Sequence, residues 1–320
     1  MDHHNIPPRT MKRPYVPIPL LPSKVAMEPK FRVAIIVPYR DRKAHLDRFV
    51  QHFAKLQQKN GGQFEVFVIE QLPKGKFNRG ILLNAGFAIA SNMGQYDRYI
   101  FHDVDSYPTQ SLYKQYFAFP DRTVHYASPY LGYKYSYHTF YGGVCAYTSS
   151  DYVRVNGFPN TFMGWGGEDD AVLMRTVNNN ITIWRPRQGK YILADHDSPD
   201  ASEKIDKQSQ KELYDRANWK RDGVVQIMSG EDIRGADGVK VSNVRYCQNT
   251  APLDGKAFKP LTKLVSDFRP PTKRGGATTK DAFKMYYFGI DWDVRSCKKS
   301  LTNSLMSRIG LTSGAQAAKC

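Results

Sequence analysis

Short apolar runs alternate with helical patterns through the first third of the chain. The run at 31–38 predicts a buried strand, and the amphipathic pattern after it predicts a helix that continues to about residue 56. A second strand is expected at 64–69, a helix at 78–91, and a third strand at 99–105 that ends in carboxylates. This β-α-β-α-β succession is typical of a nucleotide-binding sheet. Because no G-x-G-x-x-G follows the first strand, the pattern does not indicate a dinucleotide.

The middle of the chain continues the pattern with shorter elements. A helix is expected to begin at Glu168, where three consecutive acids are favoured by the helix dipole. Tyrosines crowd the stretch 130–141, and aromatic side chains in such number serve a packed core as often as they stack on sugar rings. The remaining elements are predicted as a helix at 111–119 and strands at 124–128, 144–147, 181–184 and 191–193.

Two carboxylates stand at the end of the third predicted strand. Asp103 and Asp105 are two residues apart, so in an extended strand they share one face at its carboxyl end. Ligands of open α/β sheets bind at that edge. Carboxylate oxygens suit Mg²⁺ or Mn²⁺ held together with substrate phosphates. The alternative is an acidic surface turn, which a D-x-D pair alone does not exclude.

A second acidic stretch follows glycines that permit sharp turns. Trp165 is flanked by Gly164, Gly166 and Gly167, and the carboxylates at 168–170 come next. This composition is typical of an active-site loop in which an aromatic ring closes on a ligand. The simpler interpretation is a glycine turn before an acidic helix start. The presence of the first acidic pair favours the active site.

Arginines follow the first two predicted strands on the expected ligand side. Arg40 and Arg42 come directly after the first strand, and Arg79 follows the second, beside Asn78 as a candidate helix cap. Guanidinium groups match phosphate oxygens, so a diphosphate is a suitable partner. A solvated basic loop is the alternative in so cationic a chain.

Composition restricts the classes of function only broadly. The 320 residues are 41% hydrophobic, enough for a substantial core, and the formal net charge of +16 indicates anionic partners such as a nucleotide, nucleic acid, acidic glycan or membrane surface. No apolar run of 18 residues predicts a membrane span, and no signal peptide is evident, so the sequence as written is expected to be soluble and cytoplasmic. The alternative is that a membrane anchor has been removed from the protein, in which case the expected location is the Golgi lumen. The four cysteines are widely spaced and form no zinc motif.

Composition also divides the chain into three regions. Residues 1–30 contain seven prolines and predict an extended arm. A globular domain is expected at 31–250. Residues 251–320 carry thirteen Lys or Arg against five Asp and predict a basic C-terminal extension, in which the apolar stretch 283–292 is expected to dock on the domain.

Five ordered motifs resemble those of the β-1,4-galactosyltransferase family. They are V-A-I-I-V-P-Y-R-D-R at 33–42, F-N-R-G-I-L-L-N-A-G-F at 77–87, H-D-V-D at 102–105, F-Y-G-G-V-C-A at 140–146 and N-G-F-P-N-T-F-M-G-W-G-G-E-D-D at 156–170. The resemblance covers about residues 31–250. It implies an α/β GT-A fold with a mixed central sheet in a single catalytic domain. It also implies an inverting, metal-dependent glycosyltransferase that moves galactose from UDP-galactose to a sugar hydroxyl with a β linkage.

The resemblance further implies roles for individual residues. Asp169 matches the general base, with Glu168 beside it. Asp105 and His196 match the ligands of Mn²⁺, with Mg²⁺ as an alternative. The acceptor-binding positions are Trp165, Glu168 and Asp170. The donor-binding positions are Pro38, Tyr39, Arg40, Arg42, Phe77, Arg79, Asp103, Val104, Phe140, Trp165 and Gly167.

Several positions depart from the family pattern. A further metal ligand of the family falls on Leu193 or Ala194, which cannot coordinate, so Asp195 or Asp197 is the expected substitute. The family's donor-gating tyrosine aligns with Phe140, with Tyr141 next to it, and a bulky ring at this position favours galactose over its N-acetylated analogue. In some family members an arginine, a phenylalanine and an isoleucine enclose an N-acetyl group of the acceptor. The aligned residues in this chain are of other types, Gln208, Ser209 and Glu212. The acceptor is therefore left open between xylose, glucose and another sugar.

Three alternatives remain at this point. The donor could be another UDP-sugar, such as UDP-GalNAc or UDP-Glc. The chain could bind a polyanion or nucleic acid, although no nucleic acid is expected because such a binder leaves the acids at 103–105 and 168–170 without a purpose. It could also be a sugar-binding relative without turnover.

Overall fold

The structure, a computed structural model, is an α/β domain built on one large sheet. It describes residues 18–23, 25–72, 75–133, 137–164, 166–194, 219–230, 233–234, 240–249, 259–260 and 284–293. The strands are β1 (Arg32–Tyr39), β2 (Gln63–Gln71), β3 (Arg98–His102), β4 (Ser106–Pro108), β5 (Thr123–His125), β6 (Val144–Tyr147), β7 (Ile183–Trp184), β8 (Tyr191–Leu193), β9 (Ile233–Arg234), β10 (Lys240–Asn249), β11 (Lys259–Pro260) and β12 (Lys284–Asp293).

Ten of these strands form the central sheet within the described part of the chain. The order is β11-β10-β12-β2-β1-β3-β6-β5-β7, with β9 paired to β10, and β4 and β8 make a separate pair. β12, β2, β1 and β3 are mutually parallel, whereas β10 and β6 run antiparallel to their neighbours. The mixed sheet and the α/β class agree with the expectation from the sequence.

Helices cover both faces of the sheet. They are α1 (Lys43–Asn60), α2 (Arg79–Met93), α3 (Gln110–Gln115), α4 (Ser149–Arg154), α5 (Glu168–Asn178) and α6 (Val224–Ser229). Residues of β1 alternate between two cores: Ala34 and Ile36 pack with α2, α4, α5 and α6, and Val33 and Ile35 pack with α1 and α3. Because both faces are buried, β1 is apolar at nearly every position rather than at alternate ones.

The predicted elements of the first third are confirmed within a few residues. Asn78 caps α2 as expected, since its side chain accepts a 3.0 Å hydrogen bond from the backbone N–H of Ile81. Among the later elements, β6 and β8 have the predicted bounds and α5 begins at Glu168 as predicted, whereas α3, β5 and β7 are shorter than predicted. β5 ends at His125 rather than at residue 128, because the N–H groups of Tyr126 and Ala127 both turn to the Val144 carbonyl and the ladder stops.

Segments at both ends of the described chain join the domain. β12, from the region expected to be a basic C-terminal extension, lies between β2 and β10 in the central sheet. Near the other end, Leu21 donates a backbone hydrogen bond of 2.7 Å to Arg185, and Arg185 donates one of 2.9 Å to Pro19. The boundaries of the catalytic domain at residues 30 and 250 remain a prediction. The contacts above join segments beyond both boundaries to that domain.

The helices among the described residues include none with the length and apolar character that a bilayer crossing requires.

The contact of α2 with the sheet depends on one glycine. A Cβ at Gly86 would lie 2.4 Å from Cγ2 of Ile36 and 2.9 Å from Cγ1 of Ile69. Both isoleucines are fully buried in the middle of the sheet, so their side chains have little room to move.

We expect Gly86→Ala to lower stability even though alanine favours a helix by about 1 kcal/mol over glycine. Overpacking of a tight core costs about 1–3 kcal/mol, so a net loss of about 1 kcal/mol is predicted for the free energy of unfolding in urea. Ile36→Ala removes the colliding methyl group, and the double variant should therefore lose less than the sum of the two single variants. A Gly86→Ala protein as stable as the wild type would contradict this packing.

Candidate active site

The Arg79 side chain contacts three of the acidic residues that the sequence analysis identified. Arg79 is the first residue of α2, and its side chain is 11% exposed. Its Nε donates to Oδ1 of Asp103 at 2.9 Å, and its Nη1 donates to Oδ1 of Asp169 at 2.7 Å. Oε1 of Glu168 lies 3.8 Å from the same Nη1. One guanidinium therefore joins the end of β3 to the first turn of α5.

The charges of this cluster are strongly coupled. Burial acts to lower the pKa of Arg79, but Asp103, Asp169 and Glu168 more than offset it and hold that pKa well above its ordinary value. Burial raises the pKa of Asp103, and the Arg79 charge opposes this rise while Asp105 adds to it. The pKa of Asp169 is also raised by burial against the opposing effect of Arg79. Arg79 thus keeps carboxylates ionised that burial would otherwise protonate.

Glu168 and Asp169 are adjacent but have different surroundings. The Glu168 side chain is 9% exposed and that of Asp169 is 27% exposed. Oε2 of Glu168 is buried without a hydrogen-bond partner among the described residues. Burial, followed by the neighbouring Asp169 charge, raises the pKa of Glu168 to about 8. Glu168 is therefore mainly protonated at neutral pH, whereas Asp169, in direct contact with Arg79, is the better candidate for a charged base.

The diglycine turn, residues 140–143, lies against this cluster. A Cβ at Gly142 would lie 2.5 Å from Oδ2 of Asp169, so the turn approaches the carboxylate more closely than any other residue type would allow. The Gly143 carbonyl accepts from Arg79 Nη2 at 3.4 Å and from the backbone N–H of Asp103 at 3.2 Å. The turn therefore contacts both ends of the acidic cluster.

Buried amides hold the segment 156–164, which leads into the glycine-rich loop. Asn84 of α2 donates to the Phe158 carbonyl at 2.7 Å and accepts from the Phe158 N–H at 3.1 Å. Asn78 donates to the Asn160 carbonyl at 2.6 Å, and the Gly164 N–H donates to the Phe77 carbonyl at 2.9 Å. These bonds replace regular secondary structure for a buried segment. Sequence analysis treated Asn84 only as part of a motif, although an amide in an otherwise apolar helix was a usable signal.

Asp222 and Arg175 complete that support, and sequence analysis missed both. Asp222 accepts at 2.7 Å from the Asn160 N–H and at 2.7 Å from the Thr161 hydroxyl. Arg175 donates to the Gly157 carbonyl at 2.7 Å and to the Asp222 carbonyl at 2.8 Å. Asp222 is distant in sequence from every recognised motif, so only the arginine within the apolar run of α5 could have indicated this network.

The candidate donor residues lie along the carboxyl ends of β1, β2 and β3. The Arg40 guanidinium lies 5.2 Å from the Phe77 ring centroid, which brings two of the predicted donor segments together, and it donates to the Gly75 carbonyl at 2.6 Å. Tyr39 is buried and its ring meets Tyr287 of β12 edge to face at 5.9 Å. The other candidates on this side are Pro38 and Val104, which are buried, Arg42, which precedes α1 and is exposed, and Gly167, which has a positive φ of 93° before α5.

The candidate metal ligands are only partly described. The backbone carbonyl of Asp105 accepts from the Ala194 N–H at 3.0 Å, so the chain two residues before His196 is fixed to Asp105. Among the described residues, no group of three or more His, Cys, Asp or Glu side chains is arranged to hold a metal ion. Asp105 nevertheless fits a divalent ion that takes its remaining ligands from a diphosphate and from residues outside this set. His196, Asp195, Asp197 and Trp165 lie outside the described residues.

Comparison with known proteins assigns the chain to a family. β-1,4-Galactosyltransferase 6 of Mus musculus is 38% identical over 173 residues, which are 53% of this chain and 45% of that protein. The family model for the N-terminal region of glycosyl transferase group 7 matches residues 22–116, and the model for the N-terminal domain of galactosyltransferase matches residues 122–197. The two matches together span more than half of the 320 residues. The chain belongs to the β-1,4-galactosyltransferase family.

Other members of the β-1,4-galactosyltransferase family match a similar part of the chain. β-1,4-Galactosyltransferase 4 of Cricetulus griseus is 33% identical over 198 residues, which are 60% of this chain and 57% of that protein. The chain thus spans about half the length of the curated relatives it matches. The residues that hold the diglycine turn and the acidic cluster lie within the matched region, whereas Asp222 lies beyond residue 197.

Solved structures of the family share the fold. The catalytic domain of Drosophila β-1,4-galactosyltransferase 7 in complex with xylobiose has a TM-score of 0.58 and 23% identity, and the match covers 82% of this chain and 94% of that chain. An aspartate-to-asparagine mutant of the Drosophila enzyme, in complex with manganese, UDP-Gal and xylobiose, has a TM-score of 0.58 and 22% identity with the same coverage. The mixed sheet described above is therefore the GT-A fold.

Removal of the charge of Arg79 should make stability depend more strongly on pH. In Arg79→Gln, the carboxyls of Asp103, Glu168 and Asp169 lose their counter-ion, so their folded-state pKa values rise further. A folded state that binds more protons than the unfolded state loses stability as pH increases. We expect the variant's deficit against the wild type in urea denaturation to grow from pH 5 to pH 8, where it should reach about 3–5 kcal/mol.

Arg79→Lys is the matched control, because it keeps the charge and loses the fork-shaped donors. Its deficit should depend less on pH than that of Arg79→Gln. If the loss in free energy of unfolding changes between pH 5 and pH 8 by the same amount in both variants, Arg79 does not act as the counter-ion of the cluster.

Proposed function

We propose that this protein transfers galactose from UDP-galactose to a hydroxyl of a sugar acceptor, with inversion at the anomeric carbon. The observation that carries the proposal is that Arg79 donates hydrogen bonds to both Asp103 and Asp169. Through it, the end of β3 on the donor side meets the first turn of α5 on the acceptor side. Family membership and the UDP-Gal and xylobiose complex of the Drosophila relative support the same assignment.

Asp169 is the general base in this proposal. The acceptor hydroxyl gives its proton to the Asp169 carboxylate as its oxygen bonds to the anomeric carbon, and the bond from that carbon to the diphosphate oxygen breaks with UDP taking the electron pair. One displacement of this kind inverts the configuration. The partial exposure of Asp169 lets an acceptor reach it, and its raised pKa makes it a stronger base than an ordinary aspartate.

Glu168 takes a different part because it holds its proton at neutral pH. A protonated carboxyl can donate one hydrogen bond and accept others. Its unpartnered Oε2 is suited to a sugar hydroxyl, which would satisfy a polar atom that burial otherwise penalises. Two neighbouring carboxyls with pKa values pushed apart can thus share the work, one as base and the other as acceptor ligand. Asp170 and Trp165 are the further acceptor-binding candidates.

The donor side consists of positive charge and a candidate metal site. Arg40 and Phe77 form a cation–π pair that suits the base and phosphates of UDP, with Arg42 nearby in the chain. Asp105 and His196 would hold Mn²⁺, or Mg²⁺, which when bound neutralises charge on the departing diphosphate. A bulky ring at Phe140 supports galactose over an N-acetylated donor sugar. UDP-GalNAc and UDP-Glc are the competing donors, and a panel of UDP-sugars distinguishes them.

The first test concerns the base. Asp169→Asn keeps the shape of the side chain but cannot accept the proton, so the kcat for galactose transfer to a sugar acceptor should fall by about three orders of magnitude or more. Binding of UDP-galactose in the presence of Mn²⁺, measured by calorimetry, should stay within a few-fold of the wild type.

Asp170→Asn is the control for this test, because it changes the next carboxylate by the same atoms. It should affect the acceptor KM more than kcat. Full turnover by Asp169→Asn would remove Asp169 from the role of base.

The second test concerns the metal. Asp105→Ala should weaken binding of UDP by about ten-fold or more in the presence of Mn²⁺ and should change it little when the metal is chelated, since the residue acts through the ion. Direct titration of Mn²⁺, followed by the electron paramagnetic resonance of the free ion, should show a matching loss of affinity. An equal loss of UDP binding with and without metal would mean that Asp105 has only a structural part.

A further inference from the structure

The diglycine turn is held from its buried side by two residues that the proposed reaction does not use. We propose that Arg185 and His125 are positioning residues, which fix the carbonyls of Phe140 and Gly142 and so set where the turn meets the donor sugar and Asp169. This inference rests on the proposed function and deepens it, because it identifies what determines the geometry at the sugar end of the donor site.

The contacts form one continuous chain of hydrogen bonds. Nη2 of Arg185 donates to the Phe140 carbonyl at 2.6 Å, and its Nε donates to Nδ1 of His125 at 3.2 Å. Nε2 of His125 lies 2.9 Å from the Gly142 carbonyl. A guanidinium can only donate, so Nδ1 of His125 must be the acceptor. The proton of the neutral ring is therefore on Nε2, which donates to the Gly142 carbonyl.

Both residues are fully buried, which makes this chain rigid. Arg185 and His125 have no exposed surface. Burial, followed by the Arg185 charge, lowers the pKa of His125 to about 3, so the ring stays neutral and keeps one tautomer at working pH. The backbone of Arg185 is itself tied at both its N–H and its carbonyl to Pro19 and Leu21.

The turn needs this support because its backbone is unusual. Gly143 has a φ of 79°, and the Val144 N–H donates to the Gly142 carbonyl at 3.1 Å, as in a γ-turn of the strained, positive-φ kind. The Gly142 carbonyl thus accepts two hydrogen bonds, one from Val144 and one from His125. A strained turn persists only where its surroundings over-determine it.

The opposite face of the turn meets the proposed catalytic groups. Gly142 is so close to Asp169 that a Cβ would collide with the carboxylate, and the Phe140 ring is stacked on Tyr133 at 5.7 Å. Since the carbonyls are drawn toward Arg185 and His125, loss of either donor would let the turn shift relative to Asp169. A displacement of about 1 Å at a reacting centre can cost on the order of 100-fold in rate.

The experiment compares substitutions that keep or remove the hydrogen bonds. His125→Phe keeps an aromatic ring and removes both bonds, and His125→Gln keeps a donor near the Nε2 position. His52→Phe is the matched control, because Nε2 of His52 also contacts a carbonyl, that of Pro108 at 2.7 Å, far from the turn in the chain. Calorimetry with Mn²⁺ measures the Kd of UDP and of UDP-galactose for each, alongside kcat.

In His125→Phe, we expect the Kd of UDP to stay within about two-fold of the wild type, the Kd of UDP-galactose to rise about ten-fold, and kcat to fall about 10- to 100-fold. His125→Gln should recover part of both losses, and His52→Phe should match the wild type. Equal weakening of UDP and UDP-galactose, or unchanged values, would overturn the positioning role. Failure of the wild type to bind UDP-galactose at all would overturn the proposed function instead.

A second measurement does not depend on turnover or on the folding of a variant. Long-range proton–nitrogen NMR of the histidine-labelled wild type should give His125 a protonated Nε2 and an unprotonated Nδ1, without titration between pH 5 and pH 8. The opposite tautomer, or a titration in that range, would overturn the hydrogen-bond chain on which the inference stands.

Discussion

One buried guanidinium balances the acidic groups on which this site depends. The side chains of Arg79 and Glu168 are nearly enclosed, whereas those of Asp103 and Asp169 beside them are partly exposed. Three acids confined with one cation cannot all be ionised at little cost. Burial and contact with Arg79 separate the three acids: the two carboxyls that touch Arg79 keep their charge more readily, whereas burial and the neighbouring Asp169 charge raise the pKa of Glu168, so that Glu168 holds its proton. Two neighbouring carboxyls thereby differ in protonation because one is more deeply buried and the other forms a direct ion pair with Arg79.

The second requirement is a buried segment without regular structure. The stretch 156–161 carries backbone groups into the core, beginning with two consecutive left-handed residues, Asn156 and Gly157, both with a φ of 56°. Each of these buried backbone groups would cost free energy if it were left without a hydrogen-bond partner. The Asn84 amide of α2, the Arg175 guanidinium of α5 and the Asp222 carboxylate of the turn at 219–223 supply those partners. The hydrogen bonds that a strand would make to its neighbours are replaced here by side chains, and the segment leads from this support into the glycine-rich loop.

The sequence predicted the elements better than their assembly. Apolar periodicity identified β1, β2 and β3 with α1 and α2 between them, since each carries a local pattern. It did not place β12 inside the sheet, because a parallel pairing between β2 and a strand more than 200 residues later leaves no local signal. The acidic and basic candidates were also recognisable by type and position. Their partners were not: Asp222 acts on a segment 62 residues before it, and only the folded chain brings the two together.

The diglycine turn connects these findings, since the carbonyls of its two glycines accept hydrogen bonds from opposite sides. The Gly142 carbonyl accepts from His125 in the core, whereas the Gly143 carbonyl accepts from Arg79 and from the Asp103 backbone at the site. Successive carbonyls can diverge in this way because Gly143 adopts a positive φ, which a side chain would resist. The absence of a side chain at Gly142 then lets the chain lie against Asp169. The two glycines thus meet different requirements: Gly143 allows the positive φ that turns its carbonyl toward the site, and Gly142 leaves room for the Asp169 carboxylate. Together they allow the turn to lie between its buried support and the charged cluster.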